Sequence, residues 1–154
     1  MRIDVITIFP TYLDPLQLSL VGRAGRTGAV RIATHDLRTW TDDVHRTVDD
    51  TPYGGGAGML MRPEPWGAAL DTVLAGEPAG AGVRARLIVP TPAGRPFDHG
   101  LAAELAAVSW LVFACGRYEG IDARVVAEAA ERPTVDSWKC PAPKARSENS
   151  PPTT

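Results

Sequence analysis

The sequence predicts an α/β domain built on a mainly parallel sheet. Two observations lead there. Short β-branched runs alternate with helical stretches along the chain. Three polar or glycine-rich segments, at 53–59, 91–95 and 115–120, occupy places beyond strand ends, where open α/β sheets bind ligands. The size agrees: 154 residues suffice for one ordinary domain and its core, and 44% hydrophobic with 22% charged residues is globular composition.

The elements follow in order. Ile3, Val5, Ile6 and Ile8 form a β-rich run ended by Pro10, a buried first strand. Residues 11–21 predict a helix with Leu13, Leu16, Leu18, Leu20 and Val21 on its apolar side and Pro15 near its start. Gly22, Gly25 and Gly28 then break the chain, and AVRIAT at 29–34 is a second strand. Residues 35–50 have no clean period and read as a loop with one short helical turn. A helix near 66–75 follows Pro63 and Pro65, GEPAGAG at 76–82 is a surface turn, and ARLIVP at 85–90 is a third strand. Leu101, Leu105 and Val108 space a helix over 99–108, and WLVFA at 110–114 is a fourth strand. Alanine-rich IDARVVAEAA at 121–130 is the last helix, its first turn favoured by Asp122.

Bulk properties exclude several classes. A net charge of -2 and a pI of 5.9 argue against a surface coated in positive charge. They leave room for a local patch of Arg23, Arg26, Arg46 and Arg62 that would meet RNA phosphate, with a merely solvated face as the equal alternative. No apolar run approaches the roughly 20 residues needed to cross a bilayer. The opening MRIDVITIFP reads as a strand rather than a signal peptide, so the expected compartment is the cytoplasm. Cys115 and Cys140 lack metal-ligand spacing, no metal cluster is expected, and Cys115 is read as a buried thiol.

The loops carry the chemistry. In CGRYEG, Gly116 and Gly120 let a turn fold tightly around a small molecule. Glu119 can accept hydrogen bonds from an amine or ribose hydroxyl, Arg117 can pair with an anion, and Tyr118 can pack on a flat ring. The competing reading is a structural strand-to-helix turn with a satisfied ion pair. TPAGR is a turn with Pro92 and Gly94, able to line an adenine site but by itself only a turn signal. YGGGAGM does not match the phosphate-binding loop, because Met59 and Leu60 stand where lysine and a hydroxyl residue belong. Close backbone packing, a nucleic-acid contact and plain flexibility all remain open for it. Nothing orients His45 as a base. Trp40 and Trp66 belong to a core or interface before they stack a base.

Taken together, IDVITIFP, RTVDDTPYGGGAGMLM, TPAGR and CGRYEGIDAR resemble the bacterial tRNA (guanine-N1)-methyltransferase family, in order and spacing, over residues 1–136. The resemblance implies a SPOUT fold, a parallel α/β sheet with a deep trefoil knot near the cofactor. It implies transfer of a methyl from S-adenosylmethionine to N1 of the guanosine 3′ of the tRNA anticodon, by a homodimer whose sites draw on both subunits. By the same resemblance, Pro92, Gly94, Gly116, Tyr118, Glu119 and Gly120 belong to the cofactor pocket. Asp50 and the loop of Tyr53, Gly54, Gly55, Gly56 and Met59 face RNA or the interface, and Arg124 lies on the substrate side near the dimer contact.

After Asp136 the family's glycine-rich continuation is replaced by SWKCPAPKARSENSPPTT. Residues 1–136 are therefore expected to form the methyltransferase domain and 137–154 a tail of low order, with no counterpart of the family's helical tRNA-binding domain. The family's catalytic aspartate and a key arginine belong to the linker downstream, so no catalytic residue is assigned and Asp136 is not given that role. The alternative function is a noncatalytic cofactor- or RNA-binding member of the family.

Overall fold

The structure is a computed structural model that describes residues 1–52, 54–76, 83–92, 94–130 and 135–140. Five strands form one sheet: β1 (Arg2–Thr7), β2 (Arg31–Asp36), β5 (Ala85–Pro90), β6 (Trp110–Ala114) and β7 (Val135–Cys140), in the order β2-β1-β6-β5-β7. Every pairing in it is parallel. A two-stranded antiparallel ladder, β3 (Asp49–Asp50) with β4 (Leu60–Met61), closes the base of the glycine-rich loop. The helices are α1 (Ser19–Arg26), α2 (Pro63–Ala75), α3 (His99–Ala106) and α4 (Ala123–Ala130).

Strand periodicity sorts the core into two layers. Leu87, Val89, Trp110 and Val112 face one side, where they pack with Trp66 and Leu70 of α2 and Val125 of α4. Ile88 and Leu111 face the other, against Leu101 and Leu105 of α3. Asp98 starts α3 by accepting the Leu101 N–H at 2.8 Å. Trp66 is fully buried, and Trp40 donates its indole N–H to Thr72 at 3.0 Å, so both tryptophans serve packing.

The chain departs from the sequence reading in three places. The first is 11–21, where the structure has a 3-10 segment, Pro10–Gln17, followed by α1. Gly22 and Gly25 lie inside α1 instead of ending it. A Cβ on Gly22 would sit 1.8 Å from the Gln17 carbonyl oxygen, so this glycine admits a close backbone approach rather than breaking the chain. The second is 35–50, which holds a 3-10 turn, Leu37–Trp40, and also β3. The third is the boundary at 136. Residues 137–140 of the expected low-order tail are strand, in register from Ala85↔Val135 to Pro90↔Cys140. The reason is backbone pairing: the open edge of β5 offers N–H and C=O groups to any extended segment, a preference that composition does not report. The turn expected at 76–82 lies outside the described residues from 77 on, as does the tail from 141.

Candidate functional site

The carboxyl ends of β5 and β6 feed the two loops that make the site. After β5, Gly94 donates its N–H to the Thr91 carbonyl at 3.2 Å, closing a turn with Pro92 at its second position. After β6, Gly120 closes a second turn on the Arg117 carbonyl at 3.1 Å. Tyr118 within it has a φ of 57°, a left-handed backbone that costs a tyrosine energy. Between these loops and α4 lies a cavity of about 650 Å³. Pro92, Gly116, Tyr118, Glu119 and Gly120 line it, with Val126 and Ala127 of α4 as an apolar wall. Gly94 is not among its lining residues.

The polar groups at this cavity are available. Tyr118 is 53% exposed, and Glu119 is exposed with no side-chain hydrogen bond among the described residues. The Arg117 guanidinium turns instead over the Phe9 ring, 5.0 Å from its centroid. It thereby borders a second, smaller cavity of about 340 Å³ formed with Thr7, Tyr12 and Cys115. Burial pushes the Cys115 thiol up despite the nearby Arg117 cation, so it stays protonated at neutral pH and is a poor nucleophile.

The glycine-rich loop approaches the same place from behind. Met59 accepts the Glu119 N–H at 3.1 Å, Met61 donates its N–H to the Gly120 carbonyl at 3.0 Å, and the Met61 sulfur accepts the Arg117 N–H at 3.1 Å. Gly54, Gly55 and Gly56 are exposed at the loop tip, while Tyr53 lies outside the described residues. The Asp50 carboxylate accepts the Thr51 N–H at 2.7 Å. Arg124 is paired with Asp122, Nη2 to Oδ2 at 2.8 Å and Nε to Oδ1 at 3.0 Å, and Asp122 also accepts the Arg124 backbone N–H at 2.9 Å. Those Arg124 contacts pull the Asp122 carboxyl below its usual range. His45 is exposed, and Arg62 pairs with Glu64 at 3.4 Å. Among the described residues, no group of three or more His, Cys, Asp and Glu side chains is placed to hold a metal ion, and no helix is long and apolar enough to cross a membrane.

One carboxylate escaped the sequence reading. Asp4 is 1% exposed on β1, an interior strand between β2 and β6. It accepts hydrogen bonds from Arg2 Nε at 2.6 Å, Trp110 Nε1 at 2.7 Å and His35 Nε2 at 2.8 Å. Burial pushes its carboxyl up, but the bonds from His35, Arg2 and Trp110 outweigh burial and leave it lowered. The available signal was a lone acid inside the apolar run IDVITI, which demands buried donors.

Known proteins match this sequence. Residues 1–136 fit the family profile described as tRNA (Guanine-1)-methyltransferase TrmD. A tRNA (guanine-N(1)-)-methyltransferase of Frankia alni is 67% identical over 126 residues, 82% of this chain and 47% of the relative. Proteins of the same name from Salinispora arenicola and Thermobifida fusca are 64% and 60% identical, each over 88% of this chain and 51% of the relative. The chain thus spans about half the length of the curated relatives it matches.

Proposed function

Because the chain belongs to the tRNA (guanine-1)-methyltransferase family, we propose that it acts in methyl transfer from S-adenosylmethionine to N1 of the guanosine 3′ of the tRNA anticodon. The observation that carries this reading is the cavity beyond β5 and β6, where two loops far apart in sequence meet. Its volume falls within the usual range for small-ligand sites. Its chemistry fits the donor. The apolar wall of Val126 and Ala127 suits the flat, weakly polar parts of a nucleoside, and the exposed Glu119 carboxylate suits an amine, a ribose hydroxyl or a sulfonium charge.

When bound, S-adenosylmethionine supplies a methyl group activated by a positive sulfur. The protein's own task is to orient it. Pro92 and Tyr118 would border the adenosyl part, and Glu119 would accept hydrogen bonds from it. A guanine N1 carries a proton, so the reaction also needs a base to take it and a positive group to steady charge growing on O6. Neither role is given to a residue of this chain.

The tRNA would approach over the exposed glycine loop 54–58, and two copies of the chain would pair, with Arg124 and Asp50 at the RNA-facing or shared side. This activity places the protein in the cytoplasm. The test is a reaction of the purified protein with tRNA and a labelled methyl donor. Formation of N1-methylguanosine is the expected result. Donor binding with no transfer would establish the noncatalytic alternative instead, and neither binding nor transfer would overturn the reading.

A further inference from the structure

The glycine loop and the cavity loop meet at one contact that is closer than two side chains would allow. Gly58 has a φ of 99°, and a Cβ there would lie 2.7 Å from Cγ of Glu119 and 2.9 Å from its Oε1. Real Cβ atoms do not tolerate such distances, so the Glu119 side chain occupies space that only a glycine at 58 leaves free. The backbones are fastened on either side of this point. Met59 accepts the Glu119 N–H, and Met61, fully buried, bonds to Gly120 and Asp122 through its main chain. The Glu119 backbone is therefore held while its side chain has no hydrogen bond of its own among the described residues. The space left at Gly58 is what permits the carboxylate its present direction.

We propose that Gly58 is a positioning residue for the cavity: the missing Cβ at 58 lets the Glu119 carboxylate lie where a bound ligand meets it. Gly58 does not itself line the cavity. Gly58→Ala would displace Glu119 rather than unfold the protein, because the atoms in the way belong to a flexible, exposed side chain. The inference rests on the reading of the cavity as the S-adenosylmethionine site, and the experiment separates the two.

The test is calorimetric titration with S-adenosylmethionine of the wild type, Gly58→Ala, Glu119→Ala and the double variant, with melting curves on the same samples. Gly28→Ala provides the reference for what a Cβ at positive φ costs the fold, since Gly28 has a φ of 76° and nothing within 4 Å of its Cβ position. The expected result is binding weakened on the order of ten-fold by Gly58→Ala, the loss of about one charge-assisted hydrogen bond. Its Tm should match that of Gly28→Ala, and in the Glu119→Ala background Gly58→Ala should add no further loss. A loss as large without Glu119 as with it would overturn the proposal, as would a Gly58→Ala protein that binds like the wild type or fails to fold. A folded wild type that does not bind the donor would overturn the cavity reading itself, and the positioning role with it.

Discussion

Asp4 and Glu119 are two carboxylates of one domain held in opposite ways. Asp4 is buried in the sheet and takes hydrogen bonds from residues on β1, β2 and β6. Glu119 stands exposed at the cavity, its backbone held by Met59 and its side chain lying in the space that Gly58 leaves. A buried acid must be fully paired or the fold is penalised. A ligand-binding acid must keep its lone pairs free. The difference teaches where to look for function: in the carboxylate that the fold has not already satisfied.

The comparison predicts that changes at the two acids separate stability from binding. Asp4→Ala should have the largest effect. It leaves the buried Trp110 N–H and the His35 ring without their hydrogen-bond partner and Arg2 without its counter-charge, a cost of roughly 3 kcal/mol. Chemical denaturation would measure it, and a cost below about 1 kcal/mol would break the contrast. Glu119→Ala should do the reverse. Stability should stay within about 0.5 kcal/mol of wild type, as for an exposed side chain, while binding of S-adenosylmethionine falls on the order of ten-fold.

Acid titration sharpens the same contrast. The Asp4 carboxyl is lowered in the folded state, so its stabilisation is fully present above its unfolded pKa of about 3.9 and is lost as pH falls through the folded value. Asp4→Asn should therefore flatten the stability profile below about pH 4 and leave its neutral region parallel to wild type. An unchanged acid limb would contradict this. Asp122→Ala is expected to bring a milder loss of stability than Asp4→Ala. It removes the acceptor for the Arg124 backbone N–H in the first turn of α4 and should cost about 1 kcal/mol, read from the denaturation midpoint.

Much of this was legible in the sequence. The strands at 85–90 and 110–114 appear where their β-branched and aromatic runs placed them, and the segments around 91–95 and 115–120 meet as loops beyond parallel strands should. What was hidden depends on contacts between distant residues. Gly22 reads as a breaker until Gln17 is seen against it, and β7 follows from an open strand edge rather than from its own composition. Asp4 went unassigned because two of its three donors, His35 and Trp110, are far from it in sequence. The role of Gly58 needed the position of Glu119, 61 residues further along, and no local pattern carries that.

The most direct test of the account is a titration of the folded wild-type chain with S-adenosylmethionine, run beside Glu119→Ala. The account predicts saturable binding to one site in the wild type and clearly weaker binding in the variant at unchanged Tm. A cooperatively folding wild type that takes up no donor, or a variant that binds as tightly as its parent, would contradict it.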